Sequence, residues 1–543
     1  YGMPDLEHAL QGHDLGFLKM VAQGWGIELE APDAPTALPR LMRAMLDRSA
    51  IREVIETLPP EAYRALYALL ESEGSQPWAL FTRRFGELRI MGAGRRDRER
   101  PDLNPQSPTE ILWYRGLVAK GFFNRPPEPQ EYAYIPDDLL ELLPRLTPKE
   151  SPPLGRPAPP GESAFARPAK DKILDDATTF LAALRMGQKY SDRPNRVSAA
   201  FLQALLNTAG LLDAHGQPLP EPTRAFLEAG RGEALAMLVR AWMQSDTLNE
   251  LRLTPGLVFE GEWQNHPRQT RQTLLNLLSR LPQDTWWSLP AFISAVREYH
   301  PDFQRPAGDY DSWFVRLQNS NEFLRGFASW ERVDGAMLRH FIHAVLHWLG
   351  MVDLAAANAQ EINTAFRPSA WAAALWHGQA PQGLPAENQP LIVSKDGQVV
   401  IQALTPRAAR YQVARFCTLE DEKADRYIYR LTPESLQQAQ SQGLRVTHVL
   451  TVLKRHSAAP LPPSLVEALE RWEKLGVQAS LSRPTLLTVG APEILTALRR
   501  TRAARHLGPA LSPTVVVVKP GGEAAVRAAL TEIGYLADAH LDV

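Results

Sequence analysis

Residues 429–481 read YRLTPESLQQAQSQGLRVTHVLTVLKRHSAAPLPPSLVEALERWEKLGVQASL. YIYRL just ahead of and into this run alternates as a strand does. A helix then enters with Thr432 as cap and Pro433 in the first turn, and it stops at Gly443. Apolar spacing predicts two further helices, over 446–456 and 463–475, and a closing strand over 477–481. Upstream, PLIVSKDGQVVIQAL (390–404) has two alternating runs around Lys395-Asp396-Gly397, which predicts a hairpin.

Working outward, LLTVG, a helix over 492–505, the buried-strand run TVVVV, a helix over 523–533 and the terminal ADAHLDV predict a small α/β cap at 482–543. At the other end a helix is expected over 6–26, with Leu15, Leu18 and Val21 on one face. Further helix signals follow, with Leu38, Leu41 and Met45 on one face and Leu66, Leu69 and Leu70 on another; Pro59-Pro60 starts the last and Gly74 ends it. Residues 75–136 carry a winged-helix pattern: a short helix over 78–85, a longer one spanning PTEILWYRGLVAKGFF (108–123), and a strand in EYAYIP. A proline-rich stretch, SPPLGRPAPPGESAFARP and its flanks, predicts a semi-rigid linker. The middle reads as amphipathic helices over 173–212 (broken at Arg193-Pro194), 233–251, 269–281, 288–299 and 329–352, with few strands. The expected fold class is α+β, mainly α: N-terminal helices plus a winged helix (1–146), the linker (147–170), winged-helix-like modules (171–386), a further domain (387–481) and the cap (482–543).

The totals narrow the function. A length of 543 residues implies several domains. One cysteine, Cys417, excludes an internal disulfide framework and fits a reducing compartment. The most apolar run, 341–357, is interrupted by His343, His347 and Asp353 and is too short to span a bilayer. A cytoplasmic protein without membrane contact is therefore expected. The net charge of -2 differs from that of a nucleic-acid coat, so any nucleic-acid contact must come from local patches.

Two such patches exist. FTRRFGELRIMGAGRRDRERP (81–101) holds seven arginines against three acidic residues. Its G-A-G is no dinucleotide loop, because Asp97 occupies the third glycine position and Pro101 stops a following helix. Either the arginines pair internally, with Asp97, Glu99 and the Asp137-Asp138 region, or the glycines turn the backbone sharply. In the second case Arg83, Arg84, Arg89, Arg95, Arg96, Arg98 and Arg100 would face DNA phosphates. The second patch, RRTRAARH (499–506), offers Arg499, Arg500, Arg502 and Arg505 and no acid. On one helix, Arg499, Arg502 and His506 would share a face, and favourable charge at a helix C-terminus is the alternative reading. His340, His343 and His347 lie near one helical face, but the H-E-x-x-H base is missing, so packing is expected and metal is not. The tryptophans, Trp113, Trp330 and Trp348 among them, sit among leucines as core residues do. With no G-x-S-x-G, no Cys/His cluster and no paired carboxylates in a catalytic context, no catalytic residue, metal or cofactor is expected.

The RLTPESL entry, the LKRHSAAPLP connection and the Trp472 helix together resemble the accessory domain that lies N-terminal to the motor in XPB-type DNA helicases. That domain is also found in bacterial helicase-associated proteins. RRFGELRIMGAGRRDRERP, LWYRGLVAKGFF, YIPDDLLELLP and LHWLGMVDL resemble other parts of those bacterial proteins. The motor's signatures are missing: no G-x-x-x-x-G-K-[ST] occurs, and the one D-E pair, Asp421-Glu422, is read in a charged loop. The resemblance therefore implies the non-motor role. The expectation is a non-enzymatic DNA-binding or helicase-associated protein in DNA repair or transcription-linked processing, contacting double-stranded DNA and a separate helicase or nuclease. Lys454, Arg455 and His456 are the candidate partner contacts. The alternative is a protein-interaction scaffold without nucleic-acid affinity.

Overall fold

The computed structural model describes residues 3–124, 129–144, 146, 153–306 and 308–540. The chain forms two compact units, the first of residues 1–391, 401–415 and 421–427, the second of 392–400, 416–420 and 428–543. Helices predominate, and strands gather into sheets of two to four members, an α+β, mainly α architecture.

In the first unit the expected helix over 6–26 is two, Leu6–Leu10 and Leu15–Gly24. Gly12 takes a φ of 90° between them, and the Asp14 carboxylate caps the second by accepting from Phe17 N. Helices Ala34–Met45, Arg48–Glu56 and Pro60–Glu71 follow, burying Leu41, Met45, Leu66 and Leu69 against Leu18, Val21 and Leu112. After Pro60–Glu71 come the strand Ser75–Pro77, helices Trp78–Phe85 and Pro108–Tyr114, and strands Ala119–Phe123 and Gln130–Tyr134; the last strand lies in the centre of an antiparallel sheet. The expected long helix over 108–123 is thus half strand. Gly116 breaks it at a φ of 62°, so close to the core that a Cβ there would lie 3.1 Å from Met45 Cε. AKGFF then pairs with the Gln130–Tyr134 strand.

Residues 153–170 correct the linker expectation; 147–152 lie outside the described residues. Phe165–Arg167 is an edge strand paired with Val352–Ala356, in a sheet continued by Ala365–Pro368 and Trp287–Ser288. Trp287 Nε1 donates to Leu154 O at 2.7 Å, Ser288 N to Arg156 O at 3.0 Å, and Ala158 N to Trp286 O at 2.8 Å. Proline suits such an edge because it has no N–H to leave unpaired. Helices Lys172–Met186, Ala199–Thr208, Arg231–Gln244, Pro267–Leu278 and Leu289–Tyr299, with a helix over 331–346 that is π-turned at Glu331–Gly335 and Phe341–Leu346 and α-helical at Ala336–His340, enclose a core that includes Trp242, Trp330 and Phe341. Buried charges there are paired: Arg271 with Glu250 at 2.7 Å and Arg305 with Asp334 at 2.9 Å.

Within 390–404 the expected hairpin forms, Ile392–Val393 against Gln398–Gln402, in a sheet joined by Arg426–Arg430 and Thr418–Glu422. Asp421-Glu422 therefore ends a strand and is no loop, and Glu422 pairs with Arg196 and Lys172. In the second unit Thr432 and Ser435 close a capping box at the start of Pro433–Ser441; helices Val446–His456 and Pro463–Leu475 follow as expected. Residues 477–481 form no strand. No other strand pairs with them, and Val477 and Leu481 are 56% and 105% exposed. The C-terminal part has Thr485–Thr488, Val515–Val518 and Leu507–Ser512 in that sheet order, packed on Pro492–Arg499 and Glu523–Glu532. Leu507–Ser512 was not expected; LGPALS lacks β-branched residues, and its pairing with Val515–Val518 carries two register shifts. Cys417 is buried, and burial pushes its thiol up. Among the described residues no helix is long and apolar enough to cross a membrane.

Candidate nucleic-acid interface

In the first arginine patch most of the arginines are paired with carboxylates. Residues Ala93–Glu99 make a short helix, and neither Gly92 nor Gly94 has a positive φ; a Cβ on either would meet nothing within 4 Å. The backbone there does not need glycine, which corrects the sharp-turn reading. Arg89 donates through Nε and Nη2 to Glu110 at 2.8 and 2.9 Å. Burial alone would raise the Glu110 carboxyl, but Arg89 and the N–H groups of Gln106 and Arg89 hold it below its ordinary value. Arg96, with its side chain 10% exposed, bonds Asp14 and Asp97, both at 2.8 Å. Arg100 takes Asp102 at 2.6 Å, Arg95 takes Glu99 at 2.6 Å, and Arg83 takes Asp302 at 2.9 Å. The expected Asp137-Asp138 region plays no part in these pairs; the Asp138 carboxylate accepts from Leu6 N instead. Among the described residues, Arg84 and Arg98 have no carboxylate within ion-pair distance.

The second patch is different. Helix Pro492–Arg499 ends at its first arginine, and a 3-10 turn, Arg502–His506, restarts with Thr501 Oγ1 accepting from Ala503 N. The expected shared face of one helix is therefore not formed. Arg499, Arg500, Arg502 and Arg505 are all exposed, and none has a carboxylate partner among the described residues. Lys519 adds a fifth cation, its Nζ donating to Arg505 O at 3.0 Å. Sequence reading passed over Lys519 because it stands alone among apolar residues, fourteen positions from its partner.

Lys454 and Arg455 are exposed at the end of Val446–His456, and His456 is half-buried, with burial and the Arg455 charge lowering its pKa. Lys454 edges an open groove with Leu461, Val466 and Glu470. The three histidines do not converge. Burial pushes His340 down to about 4; His343 Nε2 accepts from Asn363 Nδ2 at 3.1 Å; His347 Nδ1 lies 2.9 Å from Val352 O, placed to donate. Among the described residues no three His, Cys, Asp or Glu side chains are grouped to hold a metal. Trp330 is fully buried, while Trp113 and Trp348 stack edge-on or tilted against Phe17 and Phe201.

The sequence profile described as "Helicase conserved C-terminal domain" matches residues 391–511, a span that includes the second arginine patch. Over 156 residues the chain is 29% identical to the DNA 3'-5' helicase XPB of Mycobacterium tuberculosis and 28% identical to that of Kineococcus radiotolerans. Each alignment covers 27% of this chain and 28% of the relative. The chain thus contains a segment similar to a conserved helicase domain and spans little more than a quarter of the helicases it matches.

Proposed function

We propose that this chain is a non-catalytic, DNA-binding, helicase-associated protein of DNA repair or transcription-linked processing. Its own surface touches backbone phosphates while a motor on another chain supplies nucleotide chemistry. The observation that carries this reading is the strip of Arg499, Arg500, Arg502 and Arg505: four exposed guanidiniums, unneutralised among the described residues, inside the helicase-like segment. Guanidinium and phosphate match as forked donors to paired acceptors, and unpaired arginine is the group that releases counterions when it meets a duplex. The order of helix, strand, three helices (the middle one the short Ala93–Glu99) and two paired strands over residues 60–134 resembles a winged helix with a short helix inserted and adds a second candidate DNA-reading module. Because Arg83, Arg89, Arg95, Arg96 and Arg100 are already engaged, that module would contact phosphates through Arg84 and Arg98. Neither G-x-x-x-x-G-K-[ST] nor D-E-x-H occurs in the sequence, which supports the non-catalytic part.

The test is fluorescence anisotropy with duplex and single-stranded DNA across a salt series. On duplex, each phosphate contact contributes about 0.9 to the slope of log affinity against log salt. Replacing the four arginines by glutamine should flatten that slope by up to about 3.6; an unchanged slope refutes the strip. ATP hydrolysis by the pure chain would overturn the non-catalytic part. A scaffold reading has one observation in its favour, the exposed Leu475, Val477 and Leu481, and it gains if wild-type protein binds neither DNA form.

A further inference from the structure

A small antiparallel ribbon in the first unit carries aromatic rings on its outer face. Strand Leu257–Glu260 pairs with Phe314–Leu317. The chain then returns along the free side of the second strand: Arg316 bridges Phe323, and Leu324 N donates to Val315 O at 2.7 Å. Alternation along these strands sets two faces. Val315 and Leu324 are buried, whereas Phe314, Arg316, Phe323 and Arg325 share the outer face, the two rings 36% and 37% exposed.

The rings meet edge to face at 5.6 Å, and Arg325 lies over both, 5.6 Å from the Phe314 centroid and 5.8 Å from that of Phe323. Two residues beyond Arg325, Phe327 is also exposed, held edge-on by Tyr310 at 5.3 Å and overlaid by Arg297 at 5.3 Å. Chain length keeps the Phe323 and Phe327 Cα atoms within about 14 Å of each other. Arg325 and Arg297 are exposed, and neither has a carboxylate partner among the described residues. The acids close by in sequence are turned elsewhere. Glu260 is answered by Arg316 at 2.6 Å, and Asp311 accepts from Gly326 N. Glu322 stands one residue before Phe323, on the opposite side of the alternation, and Glu298 is turned by about 100° from Arg297 on their helix. A guanidinium lying on a ring keeps its in-plane N–H groups for an acceptor. Rings beside free cations match an unstacked strand, which offers flat bases and phosphates together. A neutral peptide would use the rings and leave the cations idle.

We propose that the outer face of this ribbon binds single-stranded DNA, with bases stacked on Phe314, Phe323 and Phe327 and phosphates held by Arg325 and Arg297. This contact to bases goes beyond the phosphate contacts of the C-terminal strip; the choice of DNA over RNA rests on the proposed function.

The full chain is titrated by anisotropy with a fluorescent oligothymidylate, an abasic strand of the same length and an oligouridylate. Oligothymidylate should bind saturably, and the abasic strand at least about fivefold more weakly, the lower end for one lost stacked base. Phe314→Leu with Phe323→Leu keeps apolar volume and should weaken oligothymidylate by at least about fivefold while leaving the abasic strand unchanged. Arg325→Gln should lower the salt slope by about 0.7 for both strands, and Arg325→Lys should retain it. A wild type that binds no single strand, or a leucine pair with undiminished affinity for oligothymidylate, overturns the proposal and leaves the face to a protein partner. Equal weakening of both strands by the leucine pair overturns it as well, since the rings then serve the fold alone. Tighter binding of oligouridylate than of oligothymidylate overturns the assignment to DNA. Should the leucine pair fail to fold, Phe323→Leu alone carries the same decision. In a chain lacking the four strip arginines the leucine pair should cause the same fold-loss, so the strip and the ribbon succeed or fail separately.

Discussion

His340 makes the helix that carries it sensitive to acid. Its ring is half-buried, meets Trp348 edge-on at 5.8 Å, and is pushed by burial and then by His343 to a pKa of about 4. An exposed histidine in the opened segment titrates at about 6.5. The opened state therefore binds more protons between these values, so the stability is complete above about 6.5 and is lost as pH falls toward 4. Between pH 7.5 and pH 5.0 the loss is roughly 2 kcal/mol, a factor of about 30 in the opening equilibrium. Amide hydrogen exchange over residues 336–349, corrected for the intrinsic pH dependence of exchange, reads that factor directly. His340→Phe keeps a ring against Trp348 and removes the proton site. His343 and His347, also lowered chiefly by burial, still contribute in the variant, whereas Asp334, raised by burial, pushes the opposite way in both proteins. Wild type should therefore lose about 30-fold more protection than the variant across the interval. Equal losses would show that the His340 ring is not held neutral by its surroundings.

Other expectations follow from single contacts. Arg271→Met should destabilise the first unit by about 3–5 kcal/mol, because Glu250 is left buried and without its cation; adding Glu250→Gln should recover part of that in a denaturant titration. Thr432→Ala removes the cap of Pro433–Ser441 and should cost about 1 kcal/mol, read as faster exchange at Ser435 and Leu436 with the rest of the second unit unchanged. Gly116→Ala places a Cβ at a φ of 62° against Met45 and should lower the melting temperature of the N-terminal part, whereas Gly94→Ala, with open space around it, should not.

What could be read from the chain were the features set by near neighbours. The Thr432 cap, the Pro433 entry, the Lys395-Asp396-Gly397 turn and the helices over 446–456 and 463–475 all depend on residues within about one helical turn, and all stand where the pattern put them. The resemblance to a helicase accessory domain rests on that same local pattern, and the matched segment begins at 391. The misreadings share the opposite cause. Residues 108–123 keep a helical rhythm past Gly116, but AKGFF is claimed by a strand further along the chain, Gln130–Tyr134. Phe165–Arg167, at the end of the proline-rich run, becomes an edge strand only because Val352–Ala356, almost two hundred residues away, offers it a ladder. The two arginine patches look equally basic in one dimension. Arg96 finds Asp14 across 82 positions and Arg83 finds Asp302 across 219, while Arg499 to Arg505 find no acid among the described residues. Local propensity acts over a few residues and is written in their order; neutralising a charge or completing a sheet needs a partner delivered by the whole fold, so only the tertiary structure decided which arginines remain free.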